Sequence, residues 1–322
     1  MAGPADNLPQ PDAIGGVPDA PFAVAPNPES VFAARAARFR ALAPGHALQD
    51  YLTFLGDLSQ AQNDIQHSLP EPKLPATEAL ERSYEFGMPP LDRGRFETDE
   101  AALAALSRLL DHAVAITMPQ PAAEARDRLA HDEARRLRIL REALESASAI
   151  ETLADHVFAS AALQVHFARL AARIDASRLK SVGVGACPCC GGPPVASLVV
   201  GWEHAHGVRY VVCALCGTYW NHVRVKCVAC DSTEGVAYRS LAVESDAAES
   251  DPSAGGKKDR SEVDVVRAET CDRCRCYVKI MQQHLVPEID PVADDVATLG
   301  LDLKVREAGW ARAAFNPYLL GY

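Results

Sequence analysis

The first 186 residues of this 322-residue chain contain no cysteine; all ten cysteines lie between Cys187 and Cys276. No run of about eighteen apolar residues occurs, so no membrane-spanning helix is expected. Basic residues are in deficit: 32 Lys and Arg against 43 Asp and Glu leave a formal charge of -11. A general nucleic-acid binder needs a basic face to displace counterions, and this balance argues against one, although it leaves room for a local basic patch. No Ser-His-Asp set, phosphate-binding glycine loop or H-E-x-x-H can be picked out. The opening stretch, "MAGPADNLPQPDAIGGVPDAPFAVAPNPES", lacks the basic and apolar regions of a signal peptide. Its Pro, Gly, Ala and Asp content cannot support a core, which predicts a disordered tail over residues 1–29. The expected location is the cytoplasm, without membrane insertion. In that reducing compartment, clustered thiols bind metal more often than they form structural disulfides.

The chain is long enough for two domains, each with its own core. From about Ser30 to residue 180 the pattern is helical. "ESVFAARAARFRALA" places Phe32, Ala36, Phe39 and Leu42 at steps of three or four. "HALQDYLTFLGDLSQAQNDIQHSL" repeats the stripe with Leu48, Leu52, Leu55 and Leu58, and prolines at 70, 72 and 75 end it. Further helices fit "TDEAALAALSRLLDHAVAI", with Thr98 as N-cap, then "AAEARDRLAHDEARRLRILREALES" and "AIETLADHVFASAALQVHFARLAARI". An all-α bundle is the natural packing for such segments.

At Ser181 the composition changes. Short β-type runs appear: "VASLVV" (195–200), "GVRYVV" (207–212), "TYWNHVRV" (218–225), "GVAYRSL" (235–241) and "VDVVRA" (263–268). A polar insertion at about 242–262 separates the last two and reads as disordered. A single helix over 291–314, with Val296, Leu299, Leu303 and Trp310 as its docking positions, closes the chain.

Four C-x-x-C pairs punctuate the β-type runs: Cys187/Cys190, Cys213/Cys216, Cys227/Cys230 and Cys271/Cys274. A tight turn of this spacing points two thiolates the same way while its N–H groups offset their charge. Two such turns complete a tetrahedral four-sulfur site suited to zinc or iron. The order knuckle, hairpin, knuckle occurs twice, so consecutive pairing predicts one site per unit, as in zinc-ribbon or rubredoxin-like modules. The expected fold class is multidomain α plus small β. It comprises an N-terminal α-helical bundle (30–180), a first module (181–222), a second (223–283), and a C-terminal helix and tail (284–322).

Gly191 and Gly217 follow two knuckles, where a left-handed backbone is often required; Asp231 and Arg275 take the equivalent places in the others. Cys189 and Cys276 are left over. The alternative C-x-C pairs 187/189 and 274/276 would lose the knuckle's amide hydrogen bonds. The spare thiols read as small apolar fillers or, alternatively, as exposed thiols able to exchange with a metal or persulfide. His204 and His206 fit a solvated turn, and His112, His131, His156 and His166 share no ligand spacing. Asp294 and Asp295 suit a helix start, with partner contact as the alternative. Arg224 and Lys226, expected on a strand, would offset the charge of about two per four-thiolate site. A closed sulfur shell argues against hydrolytic metal catalysis, so no enzyme is expected.

The strings "CPCCGGPPVAS", "RYVVCALCGTYW", "VRVKCVACD", "ETCDRCRCYVKI", "VADDVATLGLD" and "GWARAAFNPYLL" together resemble FdhE, the family of formate dehydrogenase accessory proteins. The resemblance covers roughly Ser30 to Leu320. It implies a cytoplasmic maturation factor that contacts the molybdenum- or tungsten-containing catalytic subunit of formate dehydrogenase before assembly or export. It also implies iron, held by Cys187, Cys190, Cys213, Cys216, Cys227, Cys230, Cys271 and Cys274, with zinc as the alternative metal. Arg275 departs from the glycine that the family usually has after its final knuckle, which would distort that turn. The rival readings are a rubredoxin-like electron-transfer protein and, less favoured by the charge, a nucleic-acid-binding zinc ribbon. The sequence leaves the oligomeric state open, a homodimer included.

Overall fold

The computed structural model describes residues 20–145, 150–241 and 265–319. The polar insertion expected at 242–262 lies outside the described residues, as does the start of the expected tail. Residues 20–29 are ordered: β1 (Ala23–Val24) joins a sheet, and Asn27 caps the first helix by accepting the N–H of Glu29 at 3.1 Å. The expected tail therefore cannot extend to residue 29, because Ala23 is buried against Trp220 and its neighbours.

Helix α1 (Pro28–Leu42) buries Phe32, Ala36 and Phe39, while Leu42 stays half-buried. It packs on α2 (Gln49–Ile65), whose Leu52, Leu55 and Leu58 are fully buried. Gly56 permits the close approach: a Cβ there would lie 3.2 Å from Arg40 Cγ. Helix α3 (Thr77–Phe86) was not expected from the sequence; it buries only Tyr84, so no apolar stripe announces it. Helix α4 (Glu100–Ala113) is capped by Asp99, which accepts the N–H of Ala102 at 2.8 Å, and not by Thr98. The single helix expected over 122–146 is two, α5 (Gln120–His131) and α6 (Glu133–Glu145). Asp132 leaves the helical region and caps the second by accepting the N–H of Arg135. Helix α7 (Leu153–Ala171) is buried along most of its length, with α4, α5 and α6 packed around it. Its apolar residues occur on every side, the pattern of a helix inside a core.

Strands β2 (Pro194–Val199), β3 (Arg209–Cys213) and β4 (Tyr219–Asn221) form an antiparallel meander that β1 extends. Strands β5 (Val236–Arg239), β6 (Val266–Cys271) and β7 (Cys276–Met281) form a second. Strand β7 lies beyond the last β-type run expected from the sequence, 263–268. Strands β2 and β7 pair in parallel, Ser197 opposite Ile280, so both units share one sheet, of eight strands among the described residues. The run "TYWNHVRV" leaves the sheet after Asn221, and neither Arg224 nor Lys226 lies on a strand.

The closing helix expected over 291–314 is broken. Helix α8 (Ala293–Ala297) stops at Thr298, whose hydroxyl donates to the Asp294 carbonyl. Helix α9 (Leu299–Glu307) follows, and then β8 (Ala311–Arg312), which pairs in parallel with β7. Leu303 is 43% exposed and does not dock, whereas Val296 and Trp310 are buried. Asp294 and Asp295 do more than favour a helix start. Asp294 receives a fork from Arg38 of α1, at 2.9 and 2.6 Å. Asp295 shares Lys279 of β7 and Arg312 of β8 with Asp302, all four side chains being buried. These contacts are internal, and they tie helices, sheet and C-terminal segment together. Among the described residues no helix is long and apolar enough to cross a membrane.

Candidate metal centres

The four knuckles meet in consecutive pairs. Cys187, Cys190, Cys213 and Cys216 bring their sulfurs within 4.8 Å of one another, as do Cys227, Cys230, Cys271 and Cys274. Three of the knuckles repeat one local device: the chain turns so that the residue after the second cysteine bonds back to the first. Gly191 N–H donates to the Cys187 carbonyl at 2.8 Å, Asp231 to Cys227 at 2.9 Å, and Arg275 to Cys271 at 2.9 Å. That turn needs a positive φ, found at Gly191 (70°), Gly217 (73°), Asp231 (58°) and Arg275 (55°).

Sulfur separations identify what the clusters suit. Cys187 and Cys216 lie 3.6 Å apart and Cys190 and Cys213 3.4 Å, while both second-site pairs, Cys227/Cys274 and Cys230/Cys271, lie 3.7 Å apart. A disulfide would need about 2.05 Å. A tetrahedron with metal–sulfur bonds of about 2.3 Å has edges of about 3.8 Å, so the donor sets fit one metal each. Backbone N–H groups of Leu215 and Cys216 point at the Cys213 sulfur, at 3.4 and 3.5 Å. Burial pushes the Cys187 thiol well above its ordinary value and Cys227 up to about 11. A bound cation supplies the charge that lets such thiols ionise, and four thiolates leave it no open position.

The two sites differ in exposure. All four sulfur residues of the first are buried, whereas Cys230 and Cys274 of the second are half-buried. Cys189 is buried and joins neither set, the filler reading; half-buried Cys276 faces the Cys274 carbonyl at 3.4 Å and joins neither. His204 and His206 sit exposed in the turn between β2 and β3. His112 and His131 are exposed, and His156 and His166 are buried in α7, away from both sulfur clusters.

Two further contributors, Gly192 and Trp310, are not evident from cysteine spacing. A Cβ on Gly192 would lie 3.1 Å from the Cys190 sulfur and 3.3 Å from that of Cys213, so only glycine leaves the first cradle open. The expected distortion at Arg275 is absent. Its guanidinium lies over the Trp310 ring, 4.4 Å from the centroid, and bonds to the Gly309 carbonyl and Asp272. These contacts, with the Ala311 N–H on its carbonyl, hold a left-handed arginine that its own conformational preference disfavours. Lys226 pairs with Asp231 at 2.8 Å beside the third knuckle, but from a turn. Trp310 is spaced as a helix residue in sequence, which hides its part in the last knuckle.

Comparison with known proteins agrees along the whole described chain. The family descriptions "FdhE, N-terminal", "FdhE, central domain" and "FdhE, C-terminal domain" match residues 20–184, 186–224 and 225–319. A protein FdhE homolog of Rhizobium meliloti (strain 1021) is 41% identical over 315 residues, covering 98% of each chain. One from Cronobacter sakazakii (strain ATCC BAA-894) is 33% identical over 301 residues, covering 91% of this chain and 89% of the relative. The crystal structure of the FdhE protein from Pseudomonas aeruginosa superposes with a TM-score of 0.77 at 29% identity. It covers 94% of this chain and 99% of that one. On its matched domains, its relatives and its fold, this chain belongs to the FdhE family.

Proposed function

We propose that the chain is a non-catalytic accessory factor for formate dehydrogenase, acting in the cytoplasm on the catalytic subunit before that enzyme is complete. The observation that carries this reading is the pair of four-sulfur clusters with tetrahedral edges, set in a chain of the FdhE family. Each cluster holds one metal, iron in the first instance and zinc as the alternative. The ligands are Cys187, Cys190, Cys213 and Cys216 in one rubredoxin-like unit, and Cys227, Cys230, Cys271 and Cys274 in the other. A closed shell of four thiolates binds no substrate, so the metals shape a docking surface or report redox state. The helical region, the sheet and the C-terminal segment together form that surface. Affinity capture tests the proposal: the purified chain should retain the catalytic subunit of formate dehydrogenase, and failure to do so in both oxidised and reduced states would overturn it.

A second reading, one-electron transfer of rubredoxin type, is favoured by the half-exposure of Cys230 and Cys274, which brings the second metal near a partner's surface. Reversible bleaching of a visible iron–sulfur colour by the partner would support it, and a colourless zinc protein would exclude it.

A further inference from the structure

Residues 88–99 run from the end of α3 to the cap of α4 as turns, with no ladder of their own. Their backbone bonds to the first knuckle instead. The N–H of Leu91 donates to the Cys189 carbonyl at 2.9 Å, and that of Arg93 to the Cys190 carbonyl at 3.1 Å. Gly191, which closes the knuckle, packs on Pro89: a Cβ there would lie 3.4 Å from Pro89 Cγ. Leu91 and Cys189 are both buried at this seam. Among the described residues, no backbone hydrogen bond from 30–180 reaches either knuckle of the second site.

The same segment walls a cavity of about 640 Å³. Met88, Pro89, Pro90, Leu91 and Phe96 line it together with Phe167 of α7. The two carbonyls that hold this wall, of Cys189 and Cys190, belong to the first knuckle, whose Cys187 and Cys190 would both be ligands of the first site's metal.

We infer that metal in the first site latches residues 88–96 in place and so sets the shape of this cavity, whereas metal in the second site does not. Without the metal, the first knuckle keeps only its own backbone bonds, Gly191 to Cys187 and Cys187 to Gly192, and both carbonyls lose the anchor that fixes their alignment. Coupling of this kind is reciprocal: loosening the segment must loosen the metal. The latch presupposes the metal occupancy proposed above.

Hydrogen exchange on the full chain tests it, comparing Cys190→Ser with Cys230→Ser. Peptides covering 88–96 should exchange about fivefold faster or more in the first variant, the factor carried by one hydrogen bond of ordinary net strength, and unchanged in the second. Rates equal to wild type in Cys190→Ser, or equally raised in both variants, would overturn the latch. Should Cys190→Ser not fold, the reciprocal effect serves. In a Cys230→Ser background, which leaves only the first site loaded, Leu91→Pro removes the N–H donor and Leu91→Ala keeps it. A chelator should strip metal about fivefold faster from the proline variant. Equal release rates would overturn the latch while leaving the accessory role standing; a wild-type chain that binds no metal would overturn both.

Discussion

Arg209 of β3 and Glu269 of β6 form an ion pair, Nη1 to Oε2 at 2.8 Å, with side chains 0% and 2% exposed. The pair spans the join between the two meanders, because β2 and β7 lie between its strands. Arg209 also donates to Ser197 and to the Lys226 carbonyl, just before the third knuckle. A buried pair of this kind costs desolvation to form, yet removing one partner strands a charge.

Arg209→Met should therefore destabilise the protein by about 3–5 kcal/mol. The double variant Arg209→Met/Glu269→Leu should recover much of that loss. Urea midpoints for the two single variants and the double give the coupling directly. Additive losses would mean that the pair does not hold the meanders together.

Gly192→Ala should cost the first site its metal and spare the second. Its Cβ would enter the space of two ligand sulfurs, at 3.1 and 3.3 Å, neither of which can retreat without leaving the tetrahedron. Metal content should fall by about half, with the fold retained because the sheet is untouched at this position. Full occupancy in a folded variant would show that the cradle has room to spare.

His166 predicts an acid-sensitive fold. Burial lowers its pKa from an ordinary 6.5 to about 4, against a weaker upward pull from Asp99. Among the described residues neither ring nitrogen has a hydrogen-bond partner, and Phe96 and Phe167 lie against the ring. The unfolded chain binds the proton first, so this contribution is full above pH 6.5 and is lost as pH falls toward 4. The loss amounts to about 3 kcal/mol. His166→Phe should flatten the fall in urea midpoint between pH 7 and pH 5; an unchanged slope would assign the acid sensitivity elsewhere.

The spacing of Cys187/Cys190, Cys213/Cys216, Cys227/Cys230 and Cys271/Cys274 already contained the two clusters, because a C-x-x-C turn leaves two thiols little choice of direction. The stripes of α1 and α2 were equally plain, since Phe32, Ala36 and Phe39 in the first and Leu52, Leu55 and Leu58 in the second recur at helical steps and are buried. Long-range geometry was hidden. Nothing local in "CYVKI" announces that Lys279 is buried beside Asp295 and Asp302, or that β7 pairs with β2. The helical period of Val296, Leu299 and Leu303 concealed a break at Thr298, where tertiary ion pairs outweigh local propensity. Gly192 looked like one glycine of a pair; only the positions of two distant sulfurs explain why it must lack a side chain.

The account rests most directly on how much metal the chain holds and which cysteines hold it. Protein purified without oxygen should carry about two metals per chain, one for each four-sulfur set of the kind that tetrahedral sites require. Cys189→Ala should leave that content intact, and Cys190→Ala should remove the first site's share. A wild-type chain without metal, or a Cys190→Ala chain that keeps its full complement, would contradict it.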